Sequence, residues 1–384
     1  MPSSFDTLII GAGFAGSVAA RELAERGNRR VLLVERRSHV GGNAYDCLDQ
    51  AGVLIHQYGP HIFHTNSRRV FQYVTRFTDW REYEHRVVAN VHGQLMPVPF
   101  NLISLEVAFG DEKAAWLRKK LTDTYGAGRK VTILELRENT DPALAEVADY
   151  IYENIFKYYT MKQWGTTPEQ IDPNTTARVP IFLSEDDRYF QDEYQGMPAK
   201  GYTPLFQAML DHPNIQVELN TDASTRLTLS EDGVYWDGES FSGTLLYTGP
   251  VDELFGCRFG RLPYRTLDFR FETYEQEWYQ THGTVNYTVD QDYTRITEFK
   301  HLTGQKLPGK TTIAKEFSRA YTGAPGEIPY YAIINPTNNA LYEQYAALCR
   351  KYPNFYLLGR LAEYKYYNMD AIIARALELC DRLV

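Results

Sequence analysis

The stretch FDTLIIGAGFAGSVAARELAERG, residues 5–27, decides the fold. Its apolar start predicts a buried strand, and a glycine motif of GxGxxG spacing separates that strand from an amphipathic helix. In this motif Gly11 permits a tight turn, Gly13 lets the backbone approach a pyrophosphate, and Gly16 lets the helix pack closely on the strand. The helix N-terminus favours negative charge. The stretch therefore predicts a dinucleotide-binding, Rossmann-like α/β fold.

The next segment strengthens this prediction. RRVLLVERR, residues 29–37, predicts a second buried strand, and Glu35 closes it 19 residues after Gly16. An acidic side chain at that place accepts hydrogen bonds from ribose hydroxyls. A second glycine pair, Gly41 and Gly42, follows at a spacing found in flavoproteins, which favours FAD over NAD. Two adjacent glycines also suit an ordinary turn.

Composition limits the class of protein. The 384 residues exceed what one core normally holds, so we expect two or three domains, or one domain with insertions. The formal charge of −9 argues against nucleic acid or an anionic membrane as partner. The four cysteines show no CxxC spacing, which is typical of reduced thiols in the cytoplasm. The start lacks a basic region, so no signal peptide is expected.

The middle of the chain changes character. Apolar residues recur at helical spacing over residues 103–164, which predicts an inserted helical region. Periodicity by itself assigns Phe156 to packing, whereas Tyr159 and Trp164 crowd a helix end beside a glycine. The polar, proline-bearing segment 166–187 follows, and its length is typical of a lid or a disordered loop. Arg178 is its sole basic residue, which suits closure over an anion.

Strand patterns return towards the C-terminus. Residues 266–276, 283–302 and 311–320 alternate polar and apolar side chains, which predicts antiparallel strands. Arg295 lies in one of them, nine residues after Asn286; such an arginine is either solvated or a bidentate clamp for a diphosphate.

Further pieces complete the first fold. They are the buried strand in GTLLYTGPVDELFG, the strand in NFYLLGR and the closing helix MDAIIARALELCDRLV. We expect them to bring Gly359 and Arg360 towards the bound dinucleotide. Asn368 or Asp370 would cap that helix. His61 and His64 stand three residues apart, but no cysteine or aspartate lies close in the sequence, so no metal is expected.

Nine motifs together resemble the bacterial UDP-galactopyranose mutase family almost from end to end. They are GAGFAGSVAARELAERG, ERRSHVGGNAYD, YGPHIFHTN, YYTMKQWG, TARVP, DDRYFQDEYQGMP, GTVNYT, YTRITEFKH and GRLAEYKYYNMD. YGPHIFHTN, DDRYFQDEYQGMP and GRLAEYKYYNMD are the most specific. The resemblance implies a non-redox isomerase that interconverts UDP-galactopyranose and UDP-galactofuranose for cell-surface galactofuranose biosynthesis. It implies reduced FAD, whose N5 attacks the galactose anomeric carbon.

The resemblance also implies roles for individual residues. Arg178 and Arg295 would grip the UDP diphosphate, and His64 would lie beneath the isoalloxazine; these three form the implied catalytic set. The implied cofactor residues are Gly11, Gly13, Phe14, Ala15, Glu35, Arg36, Gly42, Asn43, His61, Ile62, Arg360 and Met369. The implied substrate residues are Phe156, Tyr159, Thr160, Trp164, Arg178, Tyr189, Asn286, Arg295, Tyr331, Tyr366 and Asn368. Whether Tyr330 or Tyr331 faces the phosphate stays open, as does an acid role at position 368, where relatives often carry aspartate.

The expected architecture has three parts. An FAD domain would comprise residues 1–85, 205–265 and 355–384, a helical domain residues 101–175, and an antiparallel-sheet substrate domain residues 86–100, 176–204 and 266–354. Arg360, Met369 and Asp370 would point towards the flavin, and Tyr366 with Asn368 towards the substrate. The family also implies a homodimer or larger oligomer. The first alternative is an FAD-dependent oxidoreductase of the amine-oxidase type, and the second is a flavin-fold binding module without chemistry.

Overall fold

The computed structural model describes residues 4–167 and 179–384. Its centre is a parallel sheet whose three inner strands are buried, as expected when helices cover both faces. The strands are, in spatial order, Ile215–Glu218, Val31–Val34, Thr7–Ile10, Thr244–Tyr247 and Phe355–Leu357. The two strands predicted from residues 5–37 are neighbours, with Leu8 opposite Leu32. The predicted Rossmann-like α/β fold is confirmed.

Two helices from opposite ends of the chain pack together on this sheet. Phe14–Glu25 follows the first strand, and Met369–Leu383 is the predicted closing helix. The apolar faces of both helices lie in one hydrophobic core with Leu33 and Leu246. The last helix therefore lies alongside the first, with Asp381 paired to Arg26 at the end of the first helix.

The remaining helices lie in the middle and towards the C-terminus of the chain. Those between residues 102 and 164 are Leu102–Phe109, Asp111–Tyr125, Ile133–Arg137, Pro142–Ile151 and Tyr158–Trp164, with a π-helical turn at Tyr152–Lys157. The others are Arg68–Val74, Tyr202–Leu210, Val251–Leu254, Phe299–Thr303 and Pro336–Cys349. Short 3₁₀ turns lie at Gly42–Ala44 and Ala223–Thr225.

The helices between residues 102 and 164 form the predicted helical region. They share a hydrophobic core that includes Leu117, Leu121 and Val147. Asn101 caps the first of them, since its side chain accepts from the Ser104 amide in a capping box. The structure adds a short strand, Lys130–Val131, which pairs with Ile181–Phe182.

The second large sheet has seven strands. In spatial order they are Tyr331–Ala332, Tyr264–Tyr274, Thr311–Ala320, Arg295–Glu298, Thr284–Tyr287, Val87–Val91 and Gln94–Val98. The expected antiparallel sheet needs a correction, because Thr284–Tyr287 pairs with Val87–Val91 in parallel. These two strands lie far apart in the chain, so no hairpin dictates their direction. Residues 299–303 are helical where the alternation predicted strand.

Three smaller sheets complete the fold. They contain Phe63–Thr65, Tyr194–Pro198 and Trp80–Glu82; Asp46–Leu48 and Leu54–His56; and Leu227–Ser230, Gly233–Trp236 and Glu239–Ser240. All five strands of the parallel sheet fall within the segments assigned above to the FAD domain, while the domain boundaries stay a prediction. Among the described residues, the helices are too short or too polar to cross a membrane.

Candidate active site

A large cavity opens at the carboxyl ends of the parallel strands and has a volume of about 460 Å³. The glycine motif forms one wall. Gly11 has φ +105°, and a Cβ built on Gly16 would lie 1.9 Å from the carbonyl oxygen of Gly11. Gly42, with φ +56°, would place a Cβ 2.9 Å from the Cα of Gly13, so the two glycine motifs contact each other. Only glycine fits at positions 11, 16 and 42, and the wall brings bare backbone to the cavity.

Glu35 lies at the cavity rim at the end of the second strand and is buried. Its Oε2 accepts from the amide of Ala12 at 2.9 Å, and its Oε1 accepts from the amide of Arg37 at 2.9 Å. These bonds fix the carboxylate without using all of its lone pairs. Glu35 can therefore still accept from a ribose hydroxyl.

Most of the expected cofactor residues line this cavity. They are Gly11, Gly13, Phe14, Ala15, Glu35, Arg36, Gly42, Asn43, His61, Arg360 and Met369. Ile62 does not line it and packs against the core of the first domain. Asn368, expected on the substrate side, lines this cavity too.

The sequence reasoning missed other lining residues. Thr248 follows the buried strand Thr244–Tyr247, and the rule that ligands bind beyond the carboxyl ends of parallel strands could have found it. Arg37 was also missed. Its Nη2 donates to Asn43 Oδ1 at 3.0 Å, while its buried Nη1 has no partner within residues 4–167 and 179–384. Arg37 thus adds a guanidinium group to the lining of the cavity.

The two motif histidines have different surroundings. His61 lines the cavity, and its Nδ1 lies 2.8 Å from the carbonyl oxygen of Gly59, so Nδ1 carries the proton. Burial lowers the pKa of His61, which keeps the ring neutral. His64 lines neither cavity described here; its ring stacks on Phe190, and its Nδ1 lies 2.9 Å from Asp192 Oδ2. A place for His64 beneath a flavin stays a prediction.

A second cavity of about 90 Å³ lies between the helical region and the seven-stranded sheet. It is lined by Val98, Ile155, Phe156, Tyr159, Thr160, Trp164, Val179, Tyr189, Asn286 and Thr288. Six of these were expected to bind substrate, and Phe156, assigned to packing by periodicity, does line it. Asn286 Oδ1 and Thr288 Oγ1 are buried without a hydrogen-bond partner in the described chain. Because such groups are costly when unsatisfied, they indicate a site that a polar ligand completes.

Arg295 lies directly opposite Asn286 on the neighbouring antiparallel strand. Its Nε and Nη2 donate to Glu316 at 2.8 and 3.1 Å, and the Glu316 side chain is 2% exposed. Burial would lower the pKa of Arg295, but the charge of Glu316 outweighs it and the pKa lies well above its ordinary value. Arg295 is therefore a cation held in place by a bidentate ion pair, and its Nη1 takes no part in that pair.

Aromatic rings connect the two cavities. Trp164 lies 5.8 Å from Tyr331, which stacks on Tyr366 at 5.9 Å between centroids. The guanidinium of Arg360 lies 4.7 Å from the ring centre of Tyr366. Tyr330 is buried against Phe269 instead. Tyr331 is thus the member of the pair that reaches towards both cavities.

Two further expectations meet the structure differently. Asp370 does not line the large cavity, and its Oδ2 accepts from the hydroxyl of Thr65 at 3.0 Å. Asn368 occupies the N-cap position of the last helix but makes no side-chain capping bond. Arg178 and half of the expected lid fall on residues 168–178, which lie outside the described residues. Val179, at the edge of that segment, lines the second cavity.

Comparisons with known proteins agree with this geometry. The family model described as UDP-galactopyranose mutase matches residues 154–366, and one described as an NAD(P)-binding Rossmann-like domain matches residues 9–77. A probable UDP-galactopyranose mutase from Klebsiella pneumoniae is 38% identical over 98% of this chain and 94% of its own length. A dTDP-fucopyranose mutase from Escherichia coli is 36% identical over 98% of this chain and 97% of its own length.

A solved structure of a reduced UDP-galactopyranose mutase has the same fold, with a TM-score of 0.73, 16% identity, and coverage of 99% of this chain and 93% of that one. The alignments with the two sequence relatives cover nearly all of this chain and nearly all of each relative. Together with the family model, it shows which family the chain represents. The chain belongs to the UDP-galactopyranose mutase family of isomerases.

Proposed function

We propose that the protein interconverts UDP-galactopyranose and UDP-galactofuranose, with no net redox change, on FAD bound in the large cavity. The observation that carries the proposal is the pair of cavities that a series of contacting aromatic rings connects. One cavity has a wall suited to a dinucleotide, and the other is lined by two residues whose buried side-chain oxygens have no hydrogen-bond partner among the described residues. The aromatic rings between them give a sugar nucleotide a path from the second cavity towards the first.

The residues of the large cavity fit FAD. The bare backbone at Gly13 and the N-terminus of the helix Phe14–Glu25 suit a pyrophosphate, and Glu35 suits a ribose. Bound in its reduced form, FAD would supply a nucleophilic N5 for the anomeric carbon of galactose. Gly359 and Arg360 bring the last part of the chain to the same cavity, and Arg360 donates to the main-chain carbonyls of Tyr330 and Tyr367.

The second cavity and its surroundings would hold UDP. Arg295 would neutralise the diphosphate from a rigid strand, and its bond to Glu316 prevents the guanidinium from rotating away. Tyr331 and Tyr366 would donate their hydroxyls to the same phosphates. Arg178 would add a second cation, as the family resemblance implies. Asn286 and Thr288 would pair with the uridine, which satisfies two buried oxygens.

The nucleotide sugar itself needs a direct comparison, because one relative is a dTDP-fucopyranose mutase. That substrate lacks the ribose 2′-hydroxyl and the sugar 6-hydroxyl and carries a methyl group on its base. We propose the UDP-sugar because the matching family model and the relative from Klebsiella pneumoniae both carry the name of a UDP-galactopyranose mutase. Purified protein should convert the UDP-sugar with at least tenfold higher kcat/KM.

The main experiment is anaerobic. Purified protein with bound FAD is incubated with UDP-galactofuranose, with and without dithionite, and UDP-galactopyranose is followed by chromatography. We expect conversion only when the flavin is reduced, with no dithionite consumed per turnover. Conversion at equal rate with oxidised flavin would contradict the proposed chemistry.

The same preparation tests the alternative function. An oxidoreductase of the amine-oxidase type would bleach its oxidised flavin in the presence of an amine substrate, whereas the proposed isomerase should keep its flavin spectrum. Protein that binds FAD and UDP but converts nothing in either state would favour the binding module.

Further parts of the proposal concern the whole molecule. We propose the three-part division at the boundaries given above, a homodimer or larger oligomer, and a cytoplasmic location in which the product feeds cell-surface galactofuranose polymers. The scattered, unpaired cysteines support the reducing compartment. Size-exclusion chromatography with light scattering measures the oligomer, and limited proteolysis measures the boundaries.

A further inference from the structure

The small cavity has two walls that come from separate parts of the chain. The helix Tyr158–Trp164 contributes Tyr159, Thr160 and Trp164 to one wall. The strand Thr284–Tyr287 and the residue after it contribute Asn286 and Thr288 to the other. A ligand held between two such walls depends on their spacing, because hydrogen bonds to both walls form only within a narrow range of donor–acceptor distances.

Lys162 joins these walls from outside the cavity. It lies on the helix between Thr160 and Trp164 but is not among the cavity-lining residues. Its Nζ donates to the main-chain carbonyl of Tyr287 and lies 3.3 Å from the carbonyl oxygens of Gln291 and Tyr293 and 3.4 Å from that of Asp290. All four carbonyls belong to the turn between the strands Thr284–Tyr287 and Arg295–Glu298.

The ammonium group therefore stabilises this turn by binding its carbonyl oxygens, as a small bound cation would. Its three N–H donors are shared among four oxygens that point at one place. Burial lowers the pKa of Lys162 to about 8, while the carboxylates of Asp290 and Asp292 act in the opposite direction. His92 lies 3.5 Å from Asp290 on the outer side of the turn. At neutral pH the lysine keeps the charge that the carbonyls require.

A second anchor holds the same helix elsewhere. Arg265 donates to the carbonyl oxygens of Gln163 at 2.9 Å and of Lys162 at 3.1 Å, and Ser318 donates to that of Gln163 at 2.7 Å. These bonds cap the helix end against the far strands of the sheet. Arg265 thus secures the helix to the sheet as a whole, whereas Lys162 fixes its distance from the turn that carries the second cavity wall.

We infer that Lys162 is a positioning residue, which sets the width of the nucleotide cavity by fixing the helix Tyr158–Trp164 to the turn 287–293. The inference rests on the proposed function for the identity of the ligand, a uridine diphosphate. Lys162 acts through Tyr159 and Thr160 on one side and through Asn286 and Thr288 on the other. Its loss should weaken nucleotide binding more than it slows the reaction of bound substrate.

The test replaces the charge while keeping the length of the side chain. Lys162→Met removes the ammonium group, and Lys162→Arg retains a charged donor. The control is Lys157→Met, because Lys157 lies one helical turn and a half earlier and pairs with Glu153 on the outside of the helical region. Binding of UDP alone is measured by calorimetry, and KM and kcat are measured with the reduced holoenzyme.

We expect Lys162→Met to raise the Kd for UDP and the KM roughly tenfold, with kcat changed by less than about threefold, since a hydrogen bond to a charged group is worth on this order. Lys162→Arg should restore the Kd to within about threefold of the parent, and Lys157→Met should match the parent. A merely structural lysine would lower thermal stability without separating KM from kcat and without rescue by arginine.

Two results would overturn the inference: a Lys162→Met protein that binds UDP within twofold of the parent, or equal losses in kcat and binding. If Lys162→Met does not fold, Lys162→Gln, which retains two donors, replaces it and should show an intermediate Kd. Failure of the proposed function is seen separately, because the parent protein itself would then convert no UDP-galactofuranose, whether or not it binds UDP.

Discussion

Replacing Gly13 and Gly16 by alanine, one at a time, separates cofactor binding from folding. Gly13 has φ −79° and ψ −174°, a conformation that any residue adopts, and an added Cβ would meet nothing closer than the Cα of Gly42 at 3.7 Å. Gly13→Ala should therefore leave the free energy of unfolding of the flavin-free protein within about 1 kcal/mol of the parent. Its methyl group would nevertheless stand where the pyrophosphate must approach the backbone.

Gly16→Ala should have the opposite result. Its Cβ would lie 1.9 Å from the carbonyl oxygen of Gly11 and 3.2 Å from Cγ2 of Ile9, so the helix would have to move by more than about 1 Å from the strand. No rotamer change relieves a contact with backbone. We expect Gly16→Ala to lower the free energy of unfolding by about 3 kcal/mol or more, towards the upper end of what overpacking costs.

Two assays distinguish these cases. Urea unfolding of flavin-free protein measures stability, and titration with FAD, followed by quenching of flavin fluorescence, measures affinity. We expect Gly13→Ala to lose about 10- to 100-fold in FAD affinity, corresponding to roughly 1.4 to 2.7 kcal/mol, at nearly parental stability. A Gly13→Ala protein that binds FAD as well as the parent would refute the placement of the pyrophosphate on this backbone.

Three further predictions concern buried polar groups. Arg295→Met should abolish most turnover and also cost about 3 to 5 kcal/mol of unfolding free energy, because it leaves the buried Glu316 carboxylate without its cationic partner. Adding Glu316→Gln should restore much of the stability but no turnover. Denaturation measures the stability, and kinetics measure the turnover. Thr288→Val should stabilise the protein by up to about 1 kcal/mol in urea unfolding while weakening UDP binding in calorimetry, and unchanged affinity would argue against a ligand at this oxygen. Burial lowers the pKa of His56 to about 4 and of His85 to about 3, so the unfolded chain takes up their protons first as pH falls below about 6.5. Each of these two histidines should lower the free energy of unfolding by roughly 1 to 2 kcal/mol between pH 7 and pH 5. A free energy of unfolding that stays constant over that range would contradict the burial of neutral rings.

Local patterns predicted the elements that line the large cavity. The strand, glycine motif and helix of residues 5–27 and the strand ending at Glu35 lie where periodicity placed them, because burial on a sheet or along one helix face leaves a repeat within a few residues. The helices between residues 102 and 164 follow the same logic. Gly359 and Arg360 also line the expected cavity, since the run NFYLLGR has the pattern of a buried strand.

The arrangement of the site depended on contacts between distant segments. The strand that carries Arg295 was predicted, but not that Glu316, 21 residues later, holds its guanidinium or that Asn286 lies opposite. Nor does spacing reveal why His61 lines the cavity while His64 turns to Asp192.

The amino-acid sequence by itself thus determined the element types, the dinucleotide-binding motif and the family. The tertiary structure decided which polar groups are paired, which have no partner in the described part of the chain, and that the strand Thr284–Tyr287 runs parallel to Val87–Val91. The physical reason is the range of the interactions: local periodicity records which face of an element is buried, whereas electrostatic pairing and strand direction depend on segments that meet only after the chain has folded.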